Sequence, residues 1–171
     1  MMSVTIRWVL TVLLCLTWVG CSSVVDDDEV VERVKVGDHI PAFTIDVVTP
    51  TLADGQWSKV EGQWSSQRLT GETVIVFFNT SCQDCQRDLP LLNEYYLQHK
   101  DKAGFQMVAI SREEGEASVA AFWAAHQLQI PYSAQEDRHI YQLFASSIIP
   151  RIYFVSPQGI VTRYDVERFA I

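Results

Sequence analysis

Cysteine is scarce in this sequence and absent from its second half. The four cysteines fall into two groups, Cys15 with Cys21 and Cys82 with Cys85, and none follows Cys85. Small domains that depend on disulfides spread their cysteines along the chain, so that class of protein is excluded. A structural zinc site needs further soft ligands, and neither another cysteine pair nor a ligand-like histidine spacing is present.

Positive charge is also in short supply. The chain has 13 Lys and Arg against 21 Asp and Glu, a formal net charge of -8. A surface of this sign repels polyanions, which argues against nucleic acid as a partner. The 48% hydrophobic content suffices to bury a core, and the 171 residues suit one domain plus a targeting segment.

Residues 1–21 are typical of an export signal. One arginine precedes an uncharged, mostly apolar run at residues 8–20. The run ends in Trp-Val-Gly-Cys, which resembles a bacterial lipobox, and this resemblance implies that Cys21 is lipidated and becomes the mature N-terminus. Trp18 stands where lipoboxes usually carry an aliphatic residue. The alternative is an uncleaved membrane anchor, since residues 8–25 carry no charge and approach the length that spans a bilayer.

Residues 22–35 are polar, acidic and free of aromatic side chains, and we predict that they form a tether. The domain itself is predicted at residues 36–171. Under both alternatives for the N-terminus, it is exported to the cell envelope and held at a membrane, on the periplasmic or the surface side.

Alternating strands and helices predict an α/β domain. Residues 73–78 are an unbroken β-branched and aromatic run, typical of a central strand buried on both faces. Glycines at 55 and 62 indicate a loop between them. Pro157 and Gly159 favour a tight turn, so an antiparallel hairpin closes a mixed sheet flanked by helices. Further strands are predicted at 43–48, 105–110, 151–155 and 160–164, and helices at 83–99, 114–128 and 138–144.

The Cys-X-X-Cys motif lies where the central strand meets the following helix. This spacing places Cys82 at the helix N-terminus and Cys85 one turn deeper. Unpaired backbone N–H groups and the helix dipole favour a thiolate at Cys82. We therefore expect Cys82 to attack a disulfide and Cys85 to resolve the mixed disulfide. The alternatives are a purely structural disulfide, a zinc half-site and a chance occurrence of the motif.

Residues 69–95 resemble the TlpA/ResA-type branch of thioredoxin-like proteins. Members typically show a glycine, a hydrophobic strand, Cys-X-X-Cys, an acid three residues later and a proline two residues after the acid. Gly71, Asp88 and Pro90 stand at those places. The likeness extends over about residues 36–164. It implies a thioredoxin-like fold with the additional helix and strand that this branch inserts.

The same resemblance implies roles for the site residues. Pro150 would be a cis proline that faces the cysteines, and the backbone at Ile149 would pair with an extended stretch of substrate. Asp88 would handle protons near the buried thiol, the alternative being a solvated acid in the first helical turn. Residues flanking the cysteines would contact substrate, namely Ser81, Gln83 and Asp84.

Two residues depart from the family pattern, because Ser81 replaces a tryptophan and Asp84 replaces a proline. The Asp84 anion, about 6 Å from the sulfur, opposes a Cys82 thiolate by about 0.7 to 2.8 kcal/mol, and the helix dipole contributes about 0.3 to 2 kcal/mol in the other direction. These effects nearly cancel, so the Cys82 thiolate gains little net stabilisation. A less stabilised thiolate makes the disulfide couple less oxidising, which favours a reductase.

Residues 166–171 are too short for a final helix, which would leave an apolar strip exposed.

The resulting hypothesis is an enzyme that exchanges disulfides in exported proteins, with protein thiols and disulfides as substrates. It needs no cofactor beyond its own cysteines and takes electrons from an envelope or membrane donor. A peroxiredoxin is disfavoured because Asn79 stands where that family carries threonine. A redox-inert or copper-handling module is the non-enzymatic alternative, with His139 as its only candidate histidine.

Overall fold

The computed structural model describes residues 30–53 and 56–170. The predicted export signal and the lipidation site at Cys21 lie outside the described residues. None of the helices within the described ranges combines the length and the apolar character needed to cross a membrane.

Seven strands in the described residues form one mixed sheet. The strands are β1 (Thr44–Ala53), β2 (Gln56–Ser65), β3 (Thr73–Phe78), β4 (Gln106–Ser111), β5 (Tyr132–Ser133), β6 (Arg151–Val155) and β7 (Val161–Val166). Their order across the sheet is β2-β1-β5-β4-β3-β6-β7. Strand β3 pairs in parallel with β4 and antiparallel with β6, as expected for a mixed sheet closed by a hairpin.

Three helices in the described residues accompany the sheet, namely α1 (Gln83–His99), α2 (Glu116–His126) and α3 (His139–Gln142). All six residues of β3 are fully buried, which confirms the predicted central strand. Helix α1 has the predicted bounds and buries Leu89 and Leu92. Helix α2 and strand β5 lie between the Cys-X-X-Cys motif and Pro150, the stretch in which the family resemblance predicts an additional helix and strand.

The loop predicted between Gly55 and Gly62 is wrong, because most of that stretch belongs to β2. Strands β1 and β2 pair antiparallel over ten residues, and Gly62 lies opposite Val47 in the middle of the ladder. Strand β2 is the edge of the sheet, and its side chains are mostly exposed. Such a strand lacks the apolar alternation from which strands are predicted.

The N-terminal segment contacts the domain from residue 31 onward, inside the predicted tether. The backbone N–H groups of Arg33 and Val34 both donate to the carbonyl of Phe144, at 2.9 and 3.2 Å. Val34 is buried in the core. The sequence does not indicate this contact, because the segment as a whole is polar in composition.

The residues that follow β7 pack against α1. No helix follows β7 in the described part of the chain. The apolar strip predicted to be exposed is nevertheless partly covered, because Phe169 is buried and its ring packs edge-on against Tyr95.

Candidate active site

Cys82 caps the N-terminus of α1. Strand β3 ends at Phe78, and after a four-residue connection the helix begins at Gln83. The Cys82 Sγ accepts a hydrogen bond from the backbone N–H of Cys85 at 3.4 Å, and the side chain is partly exposed. A sulfur in this position experiences the positive end of the helix dipole and is open to a substrate.

Cys85 lies one turn deeper and is fully buried. Burial raises the pKa of the Cys85 thiol far above its ordinary value, and the hydrogen bond that this thiol donates to the neighbouring Cys82 raises it further. At neutral pH Cys85 is therefore an uncharged thiol. Cys82 is thus open to a substrate while Cys85 is buried and protonated, the arrangement that attack by Cys82 and resolution by Cys85 requires.

The loop before β6 faces the Cys82 sulfur. The Ile149–Pro150 peptide bond is cis, as the family resemblance implies, and both residues are buried. The Cys82 thiol donates to the carbonyl oxygen of Ile149, with 3.6 Å between sulfur and oxygen. The structure therefore brings together the cysteine pair and the loop that are 67 residues apart in sequence.

The connection between β3 and α1 is held by hydrogen bonds to two side chains, one within the connection and one in the segment that follows β4. The Asn79 Oδ1 accepts from the backbone N–H and the hydroxyl of Ser81, at 2.9 and 2.5 Å. The Glu114 carboxylate accepts from the Thr80 N–H at 2.7 Å and also from the Thr80 hydroxyl. Sequence analysis missed Glu114, although its place just after β4, at the edge where β3 also ends, is a detectable signal.

Asp84 forms an ion pair with Arg87, which the sequence alone does not reveal. Its carboxylate lies 2.5 Å from the Arg87 Nη1, one helical turn away, and both side chains are about half exposed. An exposed pair of this kind is weak, but it offsets part of the negative charge set against the thiolate. Gln83 and Ser81, the other predicted substrate contacts, are exposed beside the partly exposed Cys82.

Asp88 is buried, so its interpretation as a solvated acid is wrong. Its side chain is 2% exposed, and its two oxygens accept from the Arg87 Nε at 2.7 Å and from the Phe169 N–H at 2.6 Å. Arg87 also donates to the Glu167 carbonyl at 2.8 Å. Asp88 therefore anchors the C-terminal segment to α1, a contact that the helical pattern alone does not indicate.

No group of His, Cys, Asp and Glu side chains within the two described ranges is arranged to hold a metal ion. His139, the histidine considered for copper, is exposed at the start of α3.

Comparisons with known proteins agree with this geometry. The AhpC/TSA family matches residues 36–164. A thiol-disulfide oxidoreductase ResA from Bacillus cereus is 24% identical over 129 residues, which is 75% of this chain and 68% of that protein. Among solved structures, a candidate protein disulfide isomerase from Bacteroides thetaiotaomicron has a TM-score of 0.67 at 23% identity, covering 80% of this chain and 82% of its own.

A second solved structure, a thiol:disulfide interchange protein of the thioredoxin family from Chlorobium tepidum, has a TM-score of 0.61 at 20% identity and covers 80% of this chain and 90% of its own. These likenesses confirm the thioredoxin-like fold predicted from the sequence. The ResA relative confirms the predicted resemblance to the ResA-type branch.

Proposed function

We propose that this chain, which belongs to the AhpC/TSA family, is a thiol:disulfide oxidoreductase that acts on protein disulfides. The observation that carries the proposal is the unequal cysteine pair. Cys82 is accessible at a helix N-terminus and faces the Ile149 carbonyl, whereas Cys85 is buried and has a raised pKa. The ResA relative carries the same activity in its name.

The reaction proceeds by two exchanges. The Cys82 thiolate attacks one sulfur of a substrate disulfide, a bond forms between Cys82 and that sulfur, and the other substrate sulfur leaves as a thiolate. Cys85 then loses its proton to the departing thiolate or to water and attacks the Cys82 sulfur. This step closes the Cys82–Cys85 disulfide and releases the second substrate thiolate. The substrate gains two electrons, and a dithiol donor must return two electrons to the enzyme.

The finer assignments are part of the proposal. We infer that the enzyme works as a reductase, receives electrons from an envelope or membrane donor, and is anchored through a lipid on Cys21. Ser81, Gln83, Asp84 and the Ile149 backbone would contact the substrate. Ser81 and Gln83 are exposed next to the reactive sulfur, which supports that role.

A trapping experiment tests the activity. Cys85→Ser should accumulate a mixed disulfide with a peptide disulfide, visible as a mass increase on Cys82, because the resolving thiol is gone. Cys82→Ser should form no adduct, and the wild-type protein should reduce insulin in the presence of a dithiol. If the wild-type protein reduces no disulfide and Cys85→Ser traps nothing, the proposed function is wrong. Assay of the same preparation with hydrogen peroxide tests the peroxidase alternative.

Two further measurements test the finer assignments. A Cys82/Cys85 reduction potential near about -270 mV supports a reductase, and one near about -120 mV indicates an oxidant. Expression of the full chain with Cys21→Ala should move the protein out of the membrane fraction. Retention of that variant in the membrane would support the uncleaved anchor instead.

A further inference from the structure

A buried cation lies directly behind the proline loop. Arg151 follows Pro150 as the first residue of β6, and it is 0% exposed. A charged side chain in the interior is costly unless it is paired and its N–H groups are hydrogen-bonded. The partners of Arg151 therefore show which part of the structure the buried charge stabilises.

Most of these partners belong to the loop that faces Cys82. The Arg151 Nε donates to the Ile148 carbonyl at 3.0 Å and the Ser147 carbonyl at 3.1 Å, and Nη2 donates to Ser147 at 2.9 Å. The Tyr141 hydroxyl donates to the same Ile148 carbonyl at 2.8 Å and also lies 3.3 Å from the Arg151 Nε. The backbone at residues 147 and 148 is thus fixed from inside the protein.

The fixed backbone has an unfavourable conformation. Ile148 has a φ of 71°, in the left-handed region, which a β-branched residue rarely adopts. Such a conformation persists only where the surroundings impose it. The hydrogen bonds from Arg151 and Tyr141 to the Ile148 carbonyl supply that constraint, and the next carbonyl, that of Ile149, is the one that accepts from Cys82.

The charge of Arg151 is balanced from the N-terminal segment. Its Nη1 lies 2.6 Å from the Glu32 Oε2, and the Glu32 side chain is 23% exposed. The backbone around Glu32 is bonded to the same loop, because Val31 N–H donates to the Ser146 hydroxyl at 2.8 Å and Ser146 N–H donates to the Val31 carbonyl at 3.1 Å. A residue of the predicted tether is therefore in direct contact with the active-site loop.

We propose that Glu32 and Arg151 are positioning residues for the substrate-binding backbone at Ile149, acting together as a Glu32–Arg151 clamp. This inference rests on the proposed function. The clamp holds residues 147 and 148 so that the Ile149 backbone is presented, already ordered, to an extended stretch of a protein substrate. Its loss lets the loop relax, and a substrate must then order the loop when it binds.

The inference predicts a difference between two kinds of disulfide. A peptide disulfide uses the Ile149 backbone, whereas 2-hydroxyethyl disulfide has no peptide backbone and requires only access to Cys82. Glu32→Gln keeps the shape of the side chain and removes its charge, and Arg151→Lys keeps the charge and removes the planar set of donors. We expect each variant to raise KM for the peptide about three- to tenfold, with kcat and the 2-hydroxyethyl disulfide rate changed less than about twofold.

The control variants alter two more exposed ion pairs elsewhere in the domain. Glu61→Gln disrupts the exposed pair with Lys59, and Arg163→Lys alters the pair with Asp165, so both should behave as the wild-type protein. Thermal unfolding is measured for every variant.

Equal losses with both disulfides, accompanied by a lower Tm, would mean that the clamp serves stability alone and would overturn the inference. An unchanged KM in Glu32→Gln and Arg151→Lys would overturn it as well. If the wild-type protein acts on neither disulfide, the proposed function fails and this inference fails with it.

Discussion

Raising the pH above about 9 should destabilise the reduced protein through Cys85. The pKa of this thiol is raised in the folded state by burial, whereas in the unfolded chain it returns to its ordinary value of 9.0. Below pH 9 both states keep the proton, so the pH has no effect through this group. Above pH 9 the unfolded chain loses the proton and the folded protein does not, which favours unfolding.

The size of the effect follows from the linkage relation. One proton released only in the unfolded state lowers the free energy of unfolding by up to about 1.4 kcal/mol for each pH unit. With an unfolded pKa of 9.0, the loss is below about 0.1 kcal/mol at pH 8 and reaches about 1.4 kcal/mol at pH 10. The folded thiol does not titrate in this window, because its pKa lies well above it.

Urea unfolding of reduced protein at pH 8 and pH 10 provides the measurement, with reduced Cys85→Ala as the reference. Other groups with raised pKa values, such as Tyr153, whose pKa burial raises to about 12, are present in both proteins and cancel in the difference. The wild-type protein should lose about 1.4 kcal/mol more than the variant between the two pH values. Equal losses in the two proteins would refute the argument that Cys85 stays uncharged when folded.

Two further sets of substitutions test buried contacts, one beside the site and one at the start of β3. Asp88→Ala leaves the buried N–H of Phe169 without its acceptor and should lower the free energy of unfolding, measured with urea, by about 1 to 3 kcal/mol. Asp88→Asn keeps an oxygen at that place and should lower it less. Gly71→Ala would place a Cβ 2.5 Å from the carbonyl oxygen of Gly104 and should lower the free energy of unfolding by about 1 to 3 kcal/mol. Gly62→Ala, whose Cβ would meet nothing within 4 Å, should be close to neutral, and equal effects of the two glycine variants would contradict the packing argument.

The elements that could be predicted from sequence are those with an unambiguous burial pattern. Strand β3 is apolar from Val74 to Phe78 because both of its faces are covered, and α1 begins directly after its capping cysteine. Strand β2 was missed because both of its faces are largely exposed and because it contains Gly62, a residue type that favours loops. Hydrophobic periodicity reports burial, so it cannot detect an exposed edge strand whose main contacts are its backbone hydrogen bonds to β1.

The residues of the candidate site also differ in how well the sequence identifies them. Cys82, Cys85 and Pro150 could be predicted because a local motif or a family pattern identifies each of them. Glu32 and Arg151 could not, since a charged residue in a sequence is expected at the surface and these two lie 119 residues apart. An ion pair between residues so distant in the sequence is identified only from the folded structure.

The unequal burial of Cys82 and Cys85 explains how two identical side chains act one after the other. In the reduced enzyme the pKa of Cys85 is raised first by burial and then by its hydrogen bond and charge interaction with Cys82. When Cys82 is bound to a substrate sulfur, it carries no thiolate charge, so the charge interaction with Cys82 no longer raises the pKa of Cys85. Burial, the largest cause of the raised pKa, remains, and Cys85 therefore attacks only once a base has taken its proton.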